Sequence, residues 1–160
     1  MAYHFLKKTN VHVYMIYANE RLMNDDKESK VTVFYEKFYT DDTGKHIPNL
    51  FAKNNYDDMC VKSYWGNSVD GFFKYDCLHM FTAISGDLRI VTAYKDGDDY
   101  RFNQFFLSGL DGKVIKVPRN TWFGINNLTS STGSLVIAKT GNTSKYETMD
   151  TDIFDWYSKR

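Results

Sequence analysis

The stretch Gly86-Asp-Leu-Arg-Ile-Val-Thr-Ala-Tyr94 decides the fold, because a glycine turn is followed there by side chains of alternating character. Residues two apart in a β-strand share one face. The alternation predicts one face made of Leu88, Ile90, Thr92 and Tyr94 and another made of Arg89, Val91 and Ala93. Both faces are mostly apolar. We therefore expect a strand covered on both sides, as where two sheets face each other and an end segment or a partner subunit covers the outside.

Similar short runs of β-branched and aromatic residues lie between Gly, Asp and Asn turn signals along most of the chain. This spacing is typical of hairpins in a β-sandwich or barrel. We predict an all-β protein with strands at 11–18, 31–39, 49–55, 61–64, 79–84, 88–95, 101–107, 114–117 and 135–140. Residues 66–77 are predicted to be a long turn-rich stretch, and residues 146–160 a short helix or an extended cover.

The composition describes one folded domain with balanced charge. The 160 residues are 42% apolar and 17% aromatic, which fits a single domain over residues 1–160. Twenty Lys and Arg balance twenty Asp and Glu, and no block of one sign favours nucleic acid or a membrane surface. No apolar run approaches the roughly 20 residues of a membrane span, and the first residues lack the apolar run of a signal peptide. We expect a cytoplasmic protein that binds neither nucleic acid nor membranes.

The common enzyme signatures are missing from the sequence. It contains no glycine-rich phosphate loop, no nucleophile elbow and no His-Glu-x-x-His pair. Cys60 and Cys77 are expected to be buried free thiols, and with four scattered histidines they lack the ligand spacing of a zinc site. We therefore expect neither a metal nor a cofactor.

Several segments together resemble the cupin-fold dTDP-4-dehydrorhamnose 3,5-epimerase family and its sugar-nucleotide isomerase relatives. After the strand that follows Gly86, the family's order of motifs is matched by Val117-Pro118, Trp122-Phe-Gly-Ile125, Leu135-Val-Ile-Ala-Lys139 and Phe154-Asp-Trp156. Before it, the counterparts are Val33-Phe-Tyr-Glu-Lys-Phe38, Asn49-Leu-Phe-Ala-Lys-Asn54 and Val61-Lys-Ser-Tyr-Trp65. The likeness covers about residues 31–156. It implies a cupin-type jelly-roll sandwich or barrel with a short C-terminal cover segment, assembled as a homodimer.

The resemblance also shows which catalytic groups differ. Family epimerases remove a proton beside a 4-keto group with a histidine base held by an aspartate, reprotonate from a tyrosine and stabilise the enolate with a lysine. The matching positions hold Trp65 for the histidine and His79 for the lysine, with Phe123 at a second histidine. The tyrosine position holds Thr143, although a loop shift would let Tyr146 replace it. Because indole binds no proton near pH 7, the family's reaction is not expected to run with these residues in those roles.

The resemblance also implies a pocket for a sugar. Lys62 and Lys139 match basic positions that would face a sugar or its phosphates, while aromatic residues at the barrel mouth suit a sugar ring or a base. The same aromatic residues would equally fill the barrel. The catalytic candidates are His79 and Tyr146, and the substrate-binding candidates are Lys62, Tyr64, Trp65, Trp122, Phe123 and Lys139.

Two functions remain open at this point. The chain is a non-catalytic or sugar-binding cupin, or it is an active nucleotide-sugar epimerase or ketoisomerase with His79 or Tyr146 as a relocated base. A barrel packed shut predicts that no ligand-sized cavity opens to solvent. An open pocket lined by His79, Lys62 and Lys139 would count against that version. The expected partners are a second copy of the chain and a nucleotide-sugar or carbohydrate ligand.

Overall fold

The structure is a computed structural model that describes residues 30–48, 50–51 and 56–157. In these residues the chain forms β1 (Thr32–Tyr35), β2 (Tyr39–Asp41), β3 (Gly44–His46), β4 (Asp58–Tyr64), β5 (Val69–Ser85), β6 (Asp87–Asp96), β7 (Asp99–Ser108), β8 (Lys113–Val117), β9 (Trp122–Asn127) and β10 (Gly133–Thr148). One 3-10 turn, Thr151–Ile153, follows. The all-β prediction is confirmed. The predicted strand at 11–18 and most of the one at 49–55 lie outside the described residues.

The strands form one curled antiparallel sheet beside the small β2-β3 hairpin. Its order is β1-β8-β5-β9-β6-β7, with β10 next to β5 and β4 next to β10. One half of the curled sheet contains β9, β6 and β7, and the other contains β1, β8, β10 and β4. The long strand β5 lies between them and belongs to both halves. Its first residues pair with β9 from Val69 to Lys74, and its later residues pair with β8 and with β10. A strand shared in this way bends the sheet around a core, as the jelly-roll prediction requires.

The concave side of the sheet holds the main core. Leu88 and Ile90 of β6 are fully buried there against residues of the opposite half such as Phe81 and Leu135. The other face of β6 buries Val91 and Ala93 beneath the C-terminal residues. The alternation within β6 was therefore read correctly, and both of its faces are covered.

The C-terminal residues form the predicted cover on the convex side. Trp156 packs on Phe72, with ring centroids 5.3 Å apart, and its indole N–H donates to the Thr151 carbonyl at 2.9 Å. Arg89 lies beneath this cover and is 1% exposed. Its guanidinium donates to the Trp156 carbonyl at 2.6 Å and to Asn126 Oδ1 at 2.8 Å. These bonds attach the cover to the sheet.

The prediction of a long turn-rich stretch at 66–77 is wrong from residue 69 onward. Asp70-Gly71 has the composition of a turn, but Gly71 takes a φ of 133° and the chain passes through a register shift between Asp70 and Phe73. Glycine permits such a bulge without ending the strand. Strand β9 was also missed, because it contains Gly124. A Cβ at Gly124 would lie 2.9 Å from Trp156 Cη2, so the position needs a glycine for packing.

Candidate functional site

A pocket of about 110 Å³ opens from the concave side of the sheet to solvent. Its walls come from β4, β5, β9 and β10. Phe73, Tyr75 and Phe81 of β5 and Phe123 of β9 give it largely aromatic walls. The described residues therefore leave this pocket open, and Lys62, Lys139 and His79 line it.

Strand β4 directs alternate residues into the pocket. Cys60, Lys62 and Tyr64 line the wall, whereas the alternate residues Met59 and Val61 present their side chains to solvent on the other face. Tyr64 is 4% exposed. Burial, together with the charge of Asp70, raises its pKa. The phenol therefore keeps its proton at neutral pH and is a hydrogen-bond donor toward the cavity.

Trp65 lies outside the pocket. Strand β4 ends at Tyr64, and the Trp65 side chain points into solvent with 79% exposure. Its carbonyl accepts hydrogen bonds from Ser68 Oγ at 2.7 Å and from Asn127 Nδ2 at 3.2 Å, which fixes the backbone of the turn. The inward-facing residue at this end of β4 is Tyr64, one position earlier than the motif comparison suggested.

His79 is buried in the pocket wall among aromatic rings. Its ring centroid lies 4.8 Å from that of Tyr75 and 5.0 Å from that of Phe123. Its Nδ1 lies 3.7 Å from Cys77 Sγ. Burial first, and the charge of Lys139 second, lower its pKa to about 4, so the ring is neutral at pH 7. Its Nε2 forms no hydrogen bond within the described part of the chain and remains available to a ligand.

Three charged side chains complete the polar part of the pocket. Lys62 Nζ lies 2.5 Å from Asp70 Oδ2, so this lysine has a carboxylate partner. Lys139 Nζ lies 5.7 Å from the Tyr75 ring centroid and has no ion pair among the described residues. Because burial is the main cause that raises the pKa of Tyr75, this phenol also remains a donor at neutral pH.

Tyr146 and Trp122 do not line the pocket. Strand β10 passes through an irregularity between Gly141 and Tyr146, after which Tyr146 pairs with Tyr75. Their rings stack with centroids 4.9 Å apart, and Tyr146 is 52% exposed beside the pocket. Trp122 lies on the other face of β9, where its ring is 5.0 Å from Lys74 Nζ. The pocket thus brings together His79, Lys62, Tyr64, Phe123 and Lys139, and it leaves out Trp65 and Trp122.

Sequence reasoning missed several residues of the pocket. Asp70, Phe73 and Tyr75 fall in the stretch predicted to be a turn. A turn has no alternation of side chains between two faces, so the prediction placed none of them in the pocket. Cys60 was expected to be buried but is exposed. Its spacing of two residues from Lys62 would have placed both side chains on one face of the strand.

Residues 30–48, 50–51 and 56–157 contain no group of three or more His, Cys, Asp or Glu side chains that could hold a metal ion. In the same residues, no helix has the length and apolar character needed to cross a bilayer.

The curled antiparallel sheet with a polar and aromatic pocket on its concave side defines a jelly-roll of the cupin type. More particularly, the fold is that of the dTDP-4-dehydrorhamnose 3,5-epimerases and related dTDP-sugar isomerases. No protein-family model matches the sequence. No curated protein matches it either.

The similarity lies in the three-dimensional structure. The dTDP-4-dehydrorhamnose 3,5-epimerase of Sulfolobus tokodaii superposes with a TM-score of 0.70 at 12% identity, over 85% of each chain. The dTDP sugar isomerase of Desulfovibrio desulfuricans gives a TM-score of 0.69 at 11% identity, over 81% of this chain and 92% of that one. The Legionella pneumophila epimerase in complex with dTDP-4-keto-L-rhamnose gives 0.65 at 12% identity, over 80% and 76%. At such identities the comparison shows only that the fold is shared. The chemistry has to be inferred from the residues of this pocket.

Proposed function

We propose that this protein binds a nucleotide sugar in the concave pocket and does not epimerise it. The proposal is supported mainly by the open pocket, in which Lys139, the Tyr64 hydroxyl and His79 Nε2 have no hydrogen-bonding or ionic partner among the described residues. The pocket is open to solvent, so these groups are accessible to a ligand. A ligand rich in hydroxyl, carbonyl and phosphate oxygens would satisfy all three.

The pocket's walls suit one part of the sugar portion of such a ligand. A cavity of about 150 Å³ holds one benzene ring, so the open pocket of about 110 Å³ would take in part of a sugar and leave the rest at its mouth. Phe73, Tyr75 and Phe123 offer apolar faces to the C–H groups of a sugar. Lys139 would bind an oxyanion at the pocket opening, while the rest of the ligand remains outside.

The acid–base character of the lining supports the proposal of binding without epimerisation. A base that removes a proton from carbon works best when its pKa is near the operating pH. The pKa of His79 is lowered to about 4, which makes its neutral ring a weak base. The Tyr64 and Tyr75 phenols keep their protons because their pKa values are raised. The pocket thus offers donors and a hydrogen-bond acceptor, and no base matched to neutral pH.

One observation favours a catalytic alternative. Tyr146 stacks on Tyr75, and Tyr75 in turn contacts His79, so two candidate proton-transfer residues lie at one end of the pocket. In a nucleotide-sugar epimerase or ketoisomerase, a ligand that displaces solvent there would be deprotonated by His79 or Tyr146. Proton exchange at the sugar carbons separates this alternative from simple binding.

The test combines calorimetry and NMR with dTDP and dTDP-4-keto-6-deoxyglucose. We expect both to bind and the sugar carbons to exchange no deuterium. Lys139→Met should weaken binding at least tenfold. Lys95→Met is the matched control, because Lys95 lies 4.9 Å from the Tyr100 ring on the β6-β7 hairpin, away from the pocket. Absence of binding at millimolar ligand would refute the proposal, and exchange that is lost in His79→Ala would establish the catalytic alternative.

A homodimer is the second part of the proposal. Its support is the apolar outer surface of β4, where Met59 is 42% and Val61 is 63% exposed. Within the described residues β4 pairs only with β10, which leaves its second edge open. Two-fold dimers are the commonest protein assemblies, and a second copy would cover such an edge.

A further inference from the structure

The Lys62–Asp70 ion pair closes one side of the pocket. Lys62 lies on β4 and Asp70 near the start of β5, and these strands do not pair with each other in the described sheet. Lys62 Nζ also lies 5.0 Å from the centre of the Tyr64 ring. The carboxylate therefore holds Lys62 against the pocket wall and connects the two halves of the curled sheet.

Asp70 also acts on the neutral donors of the pocket. After burial, its negative charge is one of the causes that raise the pKa of Tyr64 and of Tyr75. The carboxylate is thus close enough to influence two phenols as well as Lys62. Any ligand that accepts hydrogen bonds from these two phenols is therefore also exposed to the negative charge of Asp70.

Lys139 differs from Lys62 in having no carboxylate within ion-pair distance among the described residues, although Asp58 is its cross-strand partner on β4. It pairs across the sheet with His79, whose ring is neutral at pH 7. Two lysines and one aspartate therefore leave the pocket a single net positive charge. That charge resides at Lys139.

We propose that Asp70 determines the charge specificity of the pocket: by holding Lys62, it leaves Lys139 as the cation that binds one singly charged oxyanion, and it weakens the binding of ligands that bring a second negative charge into the pocket. This inference rests on the proposed function, since it concerns the same pocket. The ligand class is a sugar whose ring lies next to one such group. The group is either the sugar-linked phosphate of a nucleotide sugar, whose second phosphate would remain outside the pocket, or the carboxylate of a uronate.

The physical reason is that a second negative charge finds no free cation. The Lys62 side chain is 50% exposed and its charge is already neutralised by Asp70, which is 27% exposed. A second negative charge therefore gains little from Lys62 and is repelled by the Asp70 carboxylate. Like charges placed close together are a general means of rejecting a wrong ligand. Removal of the Asp70 charge should therefore admit doubly charged ligands.

The experiment uses Asp70→Asn, which keeps the shape of the side chain and removes its charge. Inorganic phosphate is titrated by thermal shift, and dTDP and glucuronate are titrated by calorimetry. We expect Asp70→Asn to bind phosphate and dTDP about tenfold more tightly, because Lys62 is released, and to change glucuronate affinity less than threefold. Tighter wild-type binding of dTDP-glucose than of glucuronate identifies the linking phosphate as the oxyanion, and the reverse identifies the uronate.

Two further variants keep the test decisive. Asp96→Asn removes the partner of Arg101 in an ion pair of 2.7 Å on the β6-β7 hairpin and should leave all three titrations unchanged. Lys62→Met in the Asp70→Asn background should abolish the gain, as a double-mutant cycle requires if Lys62 is the released cation. If Asp70→Asn is poorly folded, Asp70→Ser replaces it.

The outcomes separate this inference from the proposed function. An unchanged or weaker response of Asp70→Asn to phosphate would overturn the inference. If phosphate binds the variant more tightly but no nucleotide or sugar binds either protein, the role of Asp70 stands and the proposed function fails. If nucleotide sugars bind and Asp70→Asn has no effect on phosphate or dTDP, the proposed function stands and the role of Asp70 is refuted.

Discussion

Lys139 and His79 face each other across the β10-β5 pairing, and the charge of the lysine contributes to keeping the imidazole neutral. Burial is the larger cause. The arrangement gives the pocket a cation and a neutral ring side by side. It also makes His79 sensitive to changes at Lys139, which can be measured.

The protonation of His79 should follow this arrangement. In an NMR titration of the folded protein we expect its pKa at about 4. Lys139→Met should raise the pKa, because one of the two lowering influences is removed, but burial should keep it below the ordinary value of 6.5. Lys95→Met should leave it unchanged. Titration of wild-type His79 near 6.5 would contradict the buried position.

The same shift predicts how stability depends on pH. His79 has a pKa of 6.5 when unfolded and about 4 when folded, so between these values the unfolded chain binds the proton more readily. The free energy of unfolding should therefore fall as the pH drops from 6.5 toward 4, by about 3 kcal/mol from this residue alone. Urea denaturation of wild type and His79→Gln from pH 7 to 4 measures the difference. Parallel pH profiles for the two proteins would contradict the prediction.

Loss of the guanidinium beneath the C-terminal cover should be costly. Arg89→Met leaves the Trp156 carbonyl and Asn126 Oδ1 without their donor, and we expect the free energy of unfolding to fall by about 2–4 kcal/mol. Arg101→Met is the control, because Arg101 is largely exposed and its pair with Asp96 should contribute no more than about 1 kcal/mol. Hydrogen exchange of the cover should quicken in Arg89→Met and not in the control. Equal losses in both variants would show that the bonds do not anchor the cover.

Ligand binding should distinguish Tyr64 from its neighbour Trp65. Tyr64→Phe removes a buried donor from the pocket wall and should weaken dTDP-sugar binding about three- to tenfold. Trp65→Ala changes a solvent-exposed side chain and should alter the affinity less than twofold. Calorimetry measures both. A large loss in Trp65→Ala would restore Trp65 to the site.

The proposed dimer makes a prediction about β4. Val61→Glu places a charge on the exposed apolar outer face of this strand and should yield monomers in sedimentation velocity at micromolar concentration. Tyr157→Glu, at a residue that is 76% exposed in the C-terminal cover, should leave the dimer intact. A wild-type protein that sediments as a monomer would refute the dimer.

The strands that could be predicted from the sequence are those whose own alternation of apolar side chains determines that they are extended. The alternation of β6 survives in the structure because neither face contains a residue that interrupts it. The first half of β5 was missed because Asp70-Gly71 has turn chemistry, while distant pairing with β9 keeps it extended. Gly124 concealed β9 for a similar reason, since the requirement for glycine comes from Trp156, which is far away in sequence.

Local patterning also decides which residues of the candidate pocket could be predicted, and their function stays a prediction. His79, Lys62 and Lys139 were identified and meet in one pocket, because their strands were placed correctly. Trp65 was assigned inward from the motif comparison, but the strand ends one residue before it. The pairing of Asp70 with Lys62 could not be predicted from the sequence, because only the curl of the sheet brings the two residues together.

The position of β5 in the sheet has a kinetic consequence. Its partners β8, β9 and β10 all follow it in the chain, and Phe73 pairs with Thr148, 75 residues later. Folding that depends on such distant partners is slow, because a long loop must close before the pairing stabilises it. Until β10 docks, the aromatic residues of β5 that later line the pocket lack a covering wall, and during that interval they are exposed to aggregation.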